Sequence, residues 1–219
     1  MREPELILDE VAGEPTVRGI LHRAAHEKGN GIVLTHSAGS NCNSPLLIAL
    51  AETLATEITV LRCDLPFRQA RPHGPPLGNQ ETDQAGLRRA VEVLRKIVSG
   101  RVFLGGHSYG GRMATLLAAQ QPNVAAGLLL LSYPLHPPGK PQQLRTAHFP
   151  RLQTKSLFVH GVRDGFASTE EMQSALKLIA AETKLFTIEG AGHELMTKKN
   201  RAQLTGEVSE QFQNWLLAE

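Results

Sequence analysis

The sequence predicts an α/β protein with a mainly parallel central sheet, helices on both faces and no large lid domain. Apolar runs such as Ile32-Val33-Leu34-Thr35, Val102-Phe103-Leu104 and Ser156-Leu157-Phe158-Val159 are continuous rather than alternating, which suits strands buried on both faces. Stretches with apolar residues at helical spacing separate them, so strand and helix alternate along the chain. The pentapeptide Gly106-His107-Ser108-Tyr109-Gly110 stands between an apolar run and the helix-forming Arg112-Met113-Ala114-Thr115-Leu116-Leu117, the pattern of a strand turning sharply into a helix.

The elements follow in order. Leu6 to Arg23 alternates loosely around Gly13, Pro15 and Gly19 and predicts short antiparallel entry strands at a sheet edge. Ile32 to Thr35 is a buried strand, and His36-Ser37-Ala38-Gly39-Ser40 a turn. A helix is expected from Ser44, as N-cap, and Pro45 to about Thr56. Ile58 to Leu61 is the next strand. Pro66 to Gly78, rich in proline, glycine and arginine, reads as a loop long enough to suspect function. Leu87, Val91, Leu94 and Val98 form one stripe of a helix over Glu81 to Val98. Arg101 to Gly105 is the strand leading into the pentapeptide, whose helix ends at Gln121-Pro122-Asn123, and Val124 to Leu131 is a further strand. Tyr133 to Leu152 holds six prolines and glycines that break the alternation (Pro134, Pro137, Pro138, Gly139, Pro141 and Pro150); it predicts an ordered excursion with at most a short helix around Gln142 to Thr146. Ser156 to His160 is a strand, Thr169 to Ala180 a helix, Leu185 to Ile188 a strand and Gln203 to Leu217 a terminal helix.

At 219 residues the chain suits one domain, 1–219, burying roughly 70% of the surface an unfolded chain of this size exposes. Its 23 basic and 21 acidic residues give a net charge of +2 without one-sided clustering, which argues against nucleic acid or anionic membrane as partner. Cys42 and Cys63 are too few for a disulfide framework and match no zinc spacing, so two free thiols in a reducing compartment are expected. The start, Met1-Arg2-Glu3-Pro4-Glu5-Leu6, lacks the layout of a signal peptide, and no apolar run is of membrane-spanning length. A soluble, cytoplasmic protein is the expectation.

The chemistry centres on Ser108. A Gly-x-Ser-x-Gly turn throws the hydroxyl to the tip of a strand and sets it at a helix N-terminus, where free N–H groups favour developing negative charge. A serine nucleophile needs a base and a carboxylate to orient that base. Gly161-Val162-Arg163-Asp164 and Gly190-Ala191-Gly192-His193 are suitable turns after later strands, and parallel strands bring Ser108, Asp164 and His193 to one carboxyl edge in the chain order used by this architecture. The backbone N–H groups of Tyr109 and Ala38 are the candidate oxyanion donors. Asp64, His36 and His160 also end strands and are read as structural, and Glu170 and Glu171 as first-turn acids of a helix. His136 and His148 could line a substrate pocket, with Arg68, Arg71 or Arg112 receiving a substrate carboxylate. The remaining pocket walls are expected from Pro66 to Gly78 and Tyr133 to Leu152. No nucleotide-cradling loop, dinucleotide fingerprint, cofactor site or metal site stands out.

The chain resembles the α/β-hydrolases from about Gly31 to Trp215. Asp64-Leu65-Pro66-Phe67-Arg68, Gly106-His107-Ser108-Tyr109-Gly110-Gly111-Arg112-Met113-Ala114, Ser132-Tyr133-Pro134-Leu135-His136-Pro137-Pro138-Gly139-Lys140-Pro141 and His160-Gly161-Val162-Arg163-Asp164 are similar to a small branch related to the dienelactone hydrolases. That branch holds bacterial hydrolases, a testis-expressed hydrolase-like protein and a subunit of a nuclear acetyltransferase complex. The resemblance implies a compact hydrolase with Ser108, Asp164 and His193 at the triad positions. Ser37 stands where related enzymes usually carry the first glycine of His-Gly-x-x-Gly, and Ser108 replaces the cysteine of true dienelactone hydrolases, so dienelactone does not carry over as substrate. The expectation is a serine hydrolase of a small carboxylic ester or related acyl bond, an esterase-like enzyme. A non-catalytic hydrolase-fold scaffold, or an acyltransferase or peptidase using the same triad, stands as the alternative.

Overall fold

The computed structural model describes residues 3–25, 29–76 and 79–218. Eight strands, β1 (Glu5–Asp9), β2 (Val17–His22), β3 (Gly31–Thr35), β4 (Thr59–Cys63), β5 (Val102–His107), β6 (Leu128–Leu131), β7 (Ser156–Gly161) and β8 (Thr183–Ile188), form one sheet in the order β1-β2-β4-β3-β5-β6-β7-β8. The pairs β1–β2 and β2–β4 are antiparallel, and every pair from β4 to β8 is parallel. The entry strands thus form an antiparallel edge, and the carboxyl ends of the other six lie along one rim.

Side chains alternate between the faces of each strand, and both faces are apolar. Val33, Leu61, Leu104, Leu130 and Phe158 belong to one buried cluster, while Ile32, Val60, Phe103, Leu129 and Leu157 belong to the other. The first face is covered by α3 (Gln80–Arg95), α4 (Tyr109–Gln120) and α5 (Thr169–Leu176), which follow α1 (Pro45–Leu54) and α2 (Pro66–Ala70) in the chain; α1 and α6 (Arg201–Phe212) cover the second. A fully buried leucine such as Leu61 or Leu129 stabilises the fold by about 1.5–3 kcal/mol, so the central strands carry much of the stability of the sheet.

Helix starts follow their caps. The Ser44 side chain accepts the Leu47 N–H with Pro45 in the first turn, and Ser168 and Glu171 form a reciprocal capping box on α5. Four expectations are corrected. Pro66 to Gly78 is not all loop: Pro66 presets the first turn of α2, while 71–76 is irregular and 77–78 lie outside the described residues, as do Met1 and Arg2. Gln142 to Thr146 is not helical, because its backbone is drawn elsewhere: Arg145 N–H donates to Leu135 O at 2.8 Å, and the one helical turn of the excursion is the 3₁₀ turn Phe149–Arg151. α5 stops at Leu176 rather than Ala180. The terminal helix begins at Arg201 and ends in a wider π turn over Gln213–Leu217. Among the described residues no helix is long and apolar enough to cross a membrane.

Candidate active site

The turn from β5 into α4 holds Ser108 at φ 52° and ψ −111°, a left-handed conformation that costs a non-glycine residue of order 1–3 kcal/mol. The neighbours make it obligatory. A Cβ at Gly110 would stand 2.6 Å from Thr35 Cγ2 and 2.7 Å from His36 O, so only glycine lets the start of α4 pass the end of β3. Ser108 N–H donates to Leu131 O at 2.8 Å and Gly110 N–H to His36 O at 3.1 Å, which pins the turn to both neighbouring strands.

The turn after β7 carries Asp164, whose side chain is fully buried, and the turn after β8 carries His193, whose side chain is 18% exposed. These turns touch at Gly161, where a Cβ would meet Gly192 O at 2.5 Å, and Arg163 N–H donates to Ala191 O at 2.8 Å. His193 Nδ1 lies 2.8 Å from Asp164 Oδ2 and 3.0 Å from Oδ1, and His193 Nε2 lies 2.8 Å from Ser108 Oγ. An ionised carboxylate only accepts, so Nδ1 carries the proton and Nε2 is left to accept from the Ser108 hydroxyl. Asp164 Oδ1 also accepts the Phe166 N–H at 2.8 Å, and the Phe166 ring stacks on His193 with centroids 4.0 Å apart. His107 Nε2, 2.9 Å from His193 O, ties the histidine loop back to the serine turn.

Two further histidines stand near this line and remain neutral because burial holds their basicity below the ordinary histidine range. His160 Nε2 donates to Ala167 O at 3.1 Å, and its Nδ1 is 4.0 Å from Asp164 Oδ2, beyond hydrogen-bonding reach. His36, fully buried, accepts the Leu65 N–H on Nε2 at 3.1 Å. Asp64 accepts from Cys42 N–H at 2.7 Å and pairs with Arg18 at 3.0 Å, a structural carboxylate on the far side of the Ala38 turn.

A cleft of about 350 Å³ opens over Ser108, lined by Ala38, Tyr109, Arg112, Pro134, Arg145 and Phe166, among others. Pro76 from the 66–78 segment also lines it, so both proline-rich segments supply wall residues. Tyr109 and Ala38 both line the cleft, and among the described residues the backbone N–H of neither donates to a carbonyl. The Tyr109 side chain points away, its hydroxyl donating to Asp83 Oδ2 at 2.7 Å while Asp83 Oδ1 accepts the Phe67 N–H at 3.0 Å. Burial raises the Asp83 carboxyl, and those two bonds oppose the rise.

Of the expected substrate-binding side chains, only Arg112 reaches the cleft. Arg68 is corrected: it is buried, and its guanidinium donates to five carbonyl oxygens, those of Ala38 (2.7 Å), Ser40 (2.7 Å), Arg71 (3.2 Å), Pro72 (2.9 Å) and Gly74 (3.1 Å). It braces the turn that carries Ala38 and has no donor left for substrate. Arg71 is exposed outside the cleft. His136 is corrected too, its Nδ1 donating to Pro137 O at 2.8 Å and its Nε2 facing Glu171 at 3.4 Å, and so is His148, bonded to Thr115 Oγ1 at 2.8 Å beneath the cleft. Sequence reasoning missed Phe166 and Arg145. Phe166 had a signal, since it lies two residues past Asp164 in the same turn; Arg145 lies in the Tyr133 to Leu152 segment expected to supply pocket walls but was not singled out within it. Among the described residues no three His, Cys, Asp or Glu side chains gather where they could share a metal ion.

A family model described as an alpha/beta hydrolase domain matches residues 28–216. Among solved structures, the chain is similar to a dienelactone hydrolase from Anabaena variabilis (21% identity, TM-score 0.75, covering 98% of this chain and 100% of that one). It is also similar to Est1E from Butyrivibrio proteoclasticus (18% identity, TM-score 0.76, covering 97% and 99%). A third is XC6422 from Xanthomonas campestris, described as a serine hydrolase without lid (16% identity, TM-score 0.74, covering 99% and 97%). These likenesses concern the fold. With the family match spanning most of its length, this chain belongs to the alpha/beta hydrolases.

Proposed function

We propose that the protein is a cytoplasmic serine hydrolase of small carboxylic esters, with Ser108 as nucleophile, His193 as base and Asp164 as the carboxylate that orients it. The observation that carries this reading is the unbroken line from Asp164 through His193 to Ser108, both links at 2.8 Å, at the floor of an open cleft. Ser108 Oγ attacks the acyl carbon as its proton passes to His193 Nε2. The carbonyl oxygen gathers negative charge, and the N–H groups of Tyr109 and Ala38 stabilise it, each worth about 3 kcal/mol in the transition state. Protonated His193, whose Nδ1–H stays on Asp164, gives its proton to the leaving alcohol. Water then adds to the acyl-enzyme with His193 again as base, releasing the acid and restoring Ser108. The chain's own residues and water suffice for every step. Likeness in fold to a dienelactone hydrolase and to a serine hydrolase without lid supports this reading.

The test is turnover of 4-nitrophenyl acetate together with labelling by a fluorophosphonate. Wild type should be labelled stoichiometrically at Ser108, and Ser108→Ala should lose labelling and roughly 10⁴-fold to 10⁶-fold of kcat. Full activity in that variant, or no labelling of folded wild type, overturns the reading.

A further inference from the structure

Charge in this protein is locally answered almost everywhere below the surface. Buried Arg89 pairs with Asp9 and with Glu14. Arg62 donates to His22 Nε2 at 3.0 Å and to Asn43 Oδ1 at 3.2 Å, and Arg68 is saturated by carbonyl groups. A second hollow of about 360 Å³, on the far side of the Ala38 turn, holds Arg18 and Asp64 already bonded to each other. The cleft over Ser108 differs. Arg112 and Arg145 both line it, burial and the nearby Arg112 cation both disfavour the charge on Arg145, and among the described residues no carboxylate pairs with either. The Arg112 Nε is buried without a hydrogen-bond partner, and among the described residues the Arg145 guanidinium donates to Pro134 O alone, at 3.2 Å. Two like charges lining one cavity with no carboxylate between them are the converse of a satisfied structural pair. A bound anion would relieve their repulsion and answer the charge that no carboxylate of the chain meets.

We infer that the cleft takes a substrate carrying a carboxylate besides its scissile ester, held by Arg112 and Arg145. The inference rests on the reading of Ser108 as nucleophile and deepens it. Arg112 follows Ser108 by one turn of α4, roughly 6 Å along the helix axis, so the carboxylate stands only a few bonds from the reacting carbonyl. That separation fits the half-ester of a short dicarboxylic acid, or an ester whose leaving group bears the acid. Hydrolysis remains balanced as written above: the acyl–oxygen bond breaks, water supplies the new acyl oxygen, the leaving oxygen takes the proton, and the distal carboxylate is unchanged.

The experiment compares charged and neutral partners in two arms. One sets mono-4-nitrophenyl glutarate against its methyl ester, after subtraction of the spontaneous rate; the other sets 4-acetoxybenzoate against methyl 4-acetoxybenzoate. The expected result is a preference of at least about tenfold in kcat/KM for the charged member of one pair, carried mainly by KM, and the arm that shows it tells which side of the ester bears the carboxylate. Arg112→Gln and, separately, Arg145→Gln should bring that ratio towards unity; a ratio is insensitive to general damage, and Arg145 lies in a non-helical segment where glutamine is easily accommodated. No preference in either arm, or a preference that survives both substitutions, overturns the inference and leaves the hydrolase reading standing. If wild type hydrolyses none of the four esters, calorimetry of monomethyl glutarate with Ser108→Ala protein decides: saturable binding abolished by adding Arg145→Gln upholds the anion site while the hydrolase reading fails, and absence of binding overturns the inference.

Discussion

Ser108 occupies a backbone conformation that its own side chain disfavours, and its neighbours leave it no other. The same holds for the tautomer of His193, which is set by Asp164 from behind. Asp164→Asn should keep the fold and the stacked Phe166 yet lower kcat by about 10³-fold to 10⁴-fold, because an amide can present its N–H to Nδ1 and so reverse the tautomer. Stopped-assay kinetics with a circular dichroism spectrum check both halves. The positions of these three residues were legible because each is a polar side chain in a glycine-marked turn directly after an apolar run, a pattern with few rivals. Arg68, His136 and His148 misled because composition shows that a cation or imidazole lies near a site but not which way it faces; each found backbone or side-chain partners nearer than any substrate.

At the scale of elements, the Ala38 turn has no regular structure of its own and is shaped by α2. Arg68 reaches from that short helix to Ala38 O and Ser40 O, and the same guanidinium closes the following segment through Arg71, Pro72 and Gly74. A lysine there has one ammonium instead of a planar fork and cannot hold five carbonyls at once. Arg68→Lys is therefore expected to lower kcat on 4-nitrophenyl acetate by on the order of 10²-fold, with KM changed far less, since what moves is the Ala38 N–H proposed as a donor to the transition state. A shift of KM with kcat intact would contradict this. The strands and the long helices were readable from periodicity. α2 was not, because its five residues are too few to show a period, and the 133–152 excursion was not, because its order comes from tertiary bonds such as Tyr133 Oη to Arg145 O at 2.7 Å.

For the whole molecule, the parallel run of six strands was implied by the alternation and the antiparallel entry strands at one edge by the loose pattern of Leu6 to Arg23, while the pairing of β2 with β4 rather than another strand needed the packing itself. The interior also stores several neutral imidazoles. Burial, aided by Arg62, lowers His22 to about 4, and burial, aided by Arg112 and Arg151, lowers His148 to about 4, against an ordinary value of 6.5. Between those values the unfolded chain binds protons that the native state refuses. Stability is thus fully present above pH 6.5 and falls as pH drops from 6.5 towards 4. The melting temperature should decline across that window, and His148→Gln should flatten the decline; a Tm independent of pH from 7 to 4.5 would refute it.

Ser108 and His193 are 85 residues apart in the chain, and Asp164 and His193 are 29 apart. No fragment shorter than that span contains the proton line, and local helix formation does nothing to create it. Such distant pairings are the slow ones in chain collapse, since loop entropy must be overcome before they add anything. On the proposed reading, reactivity is therefore among the last properties the folding chain acquires, because the serine is joined to its base only once the final two strands have docked.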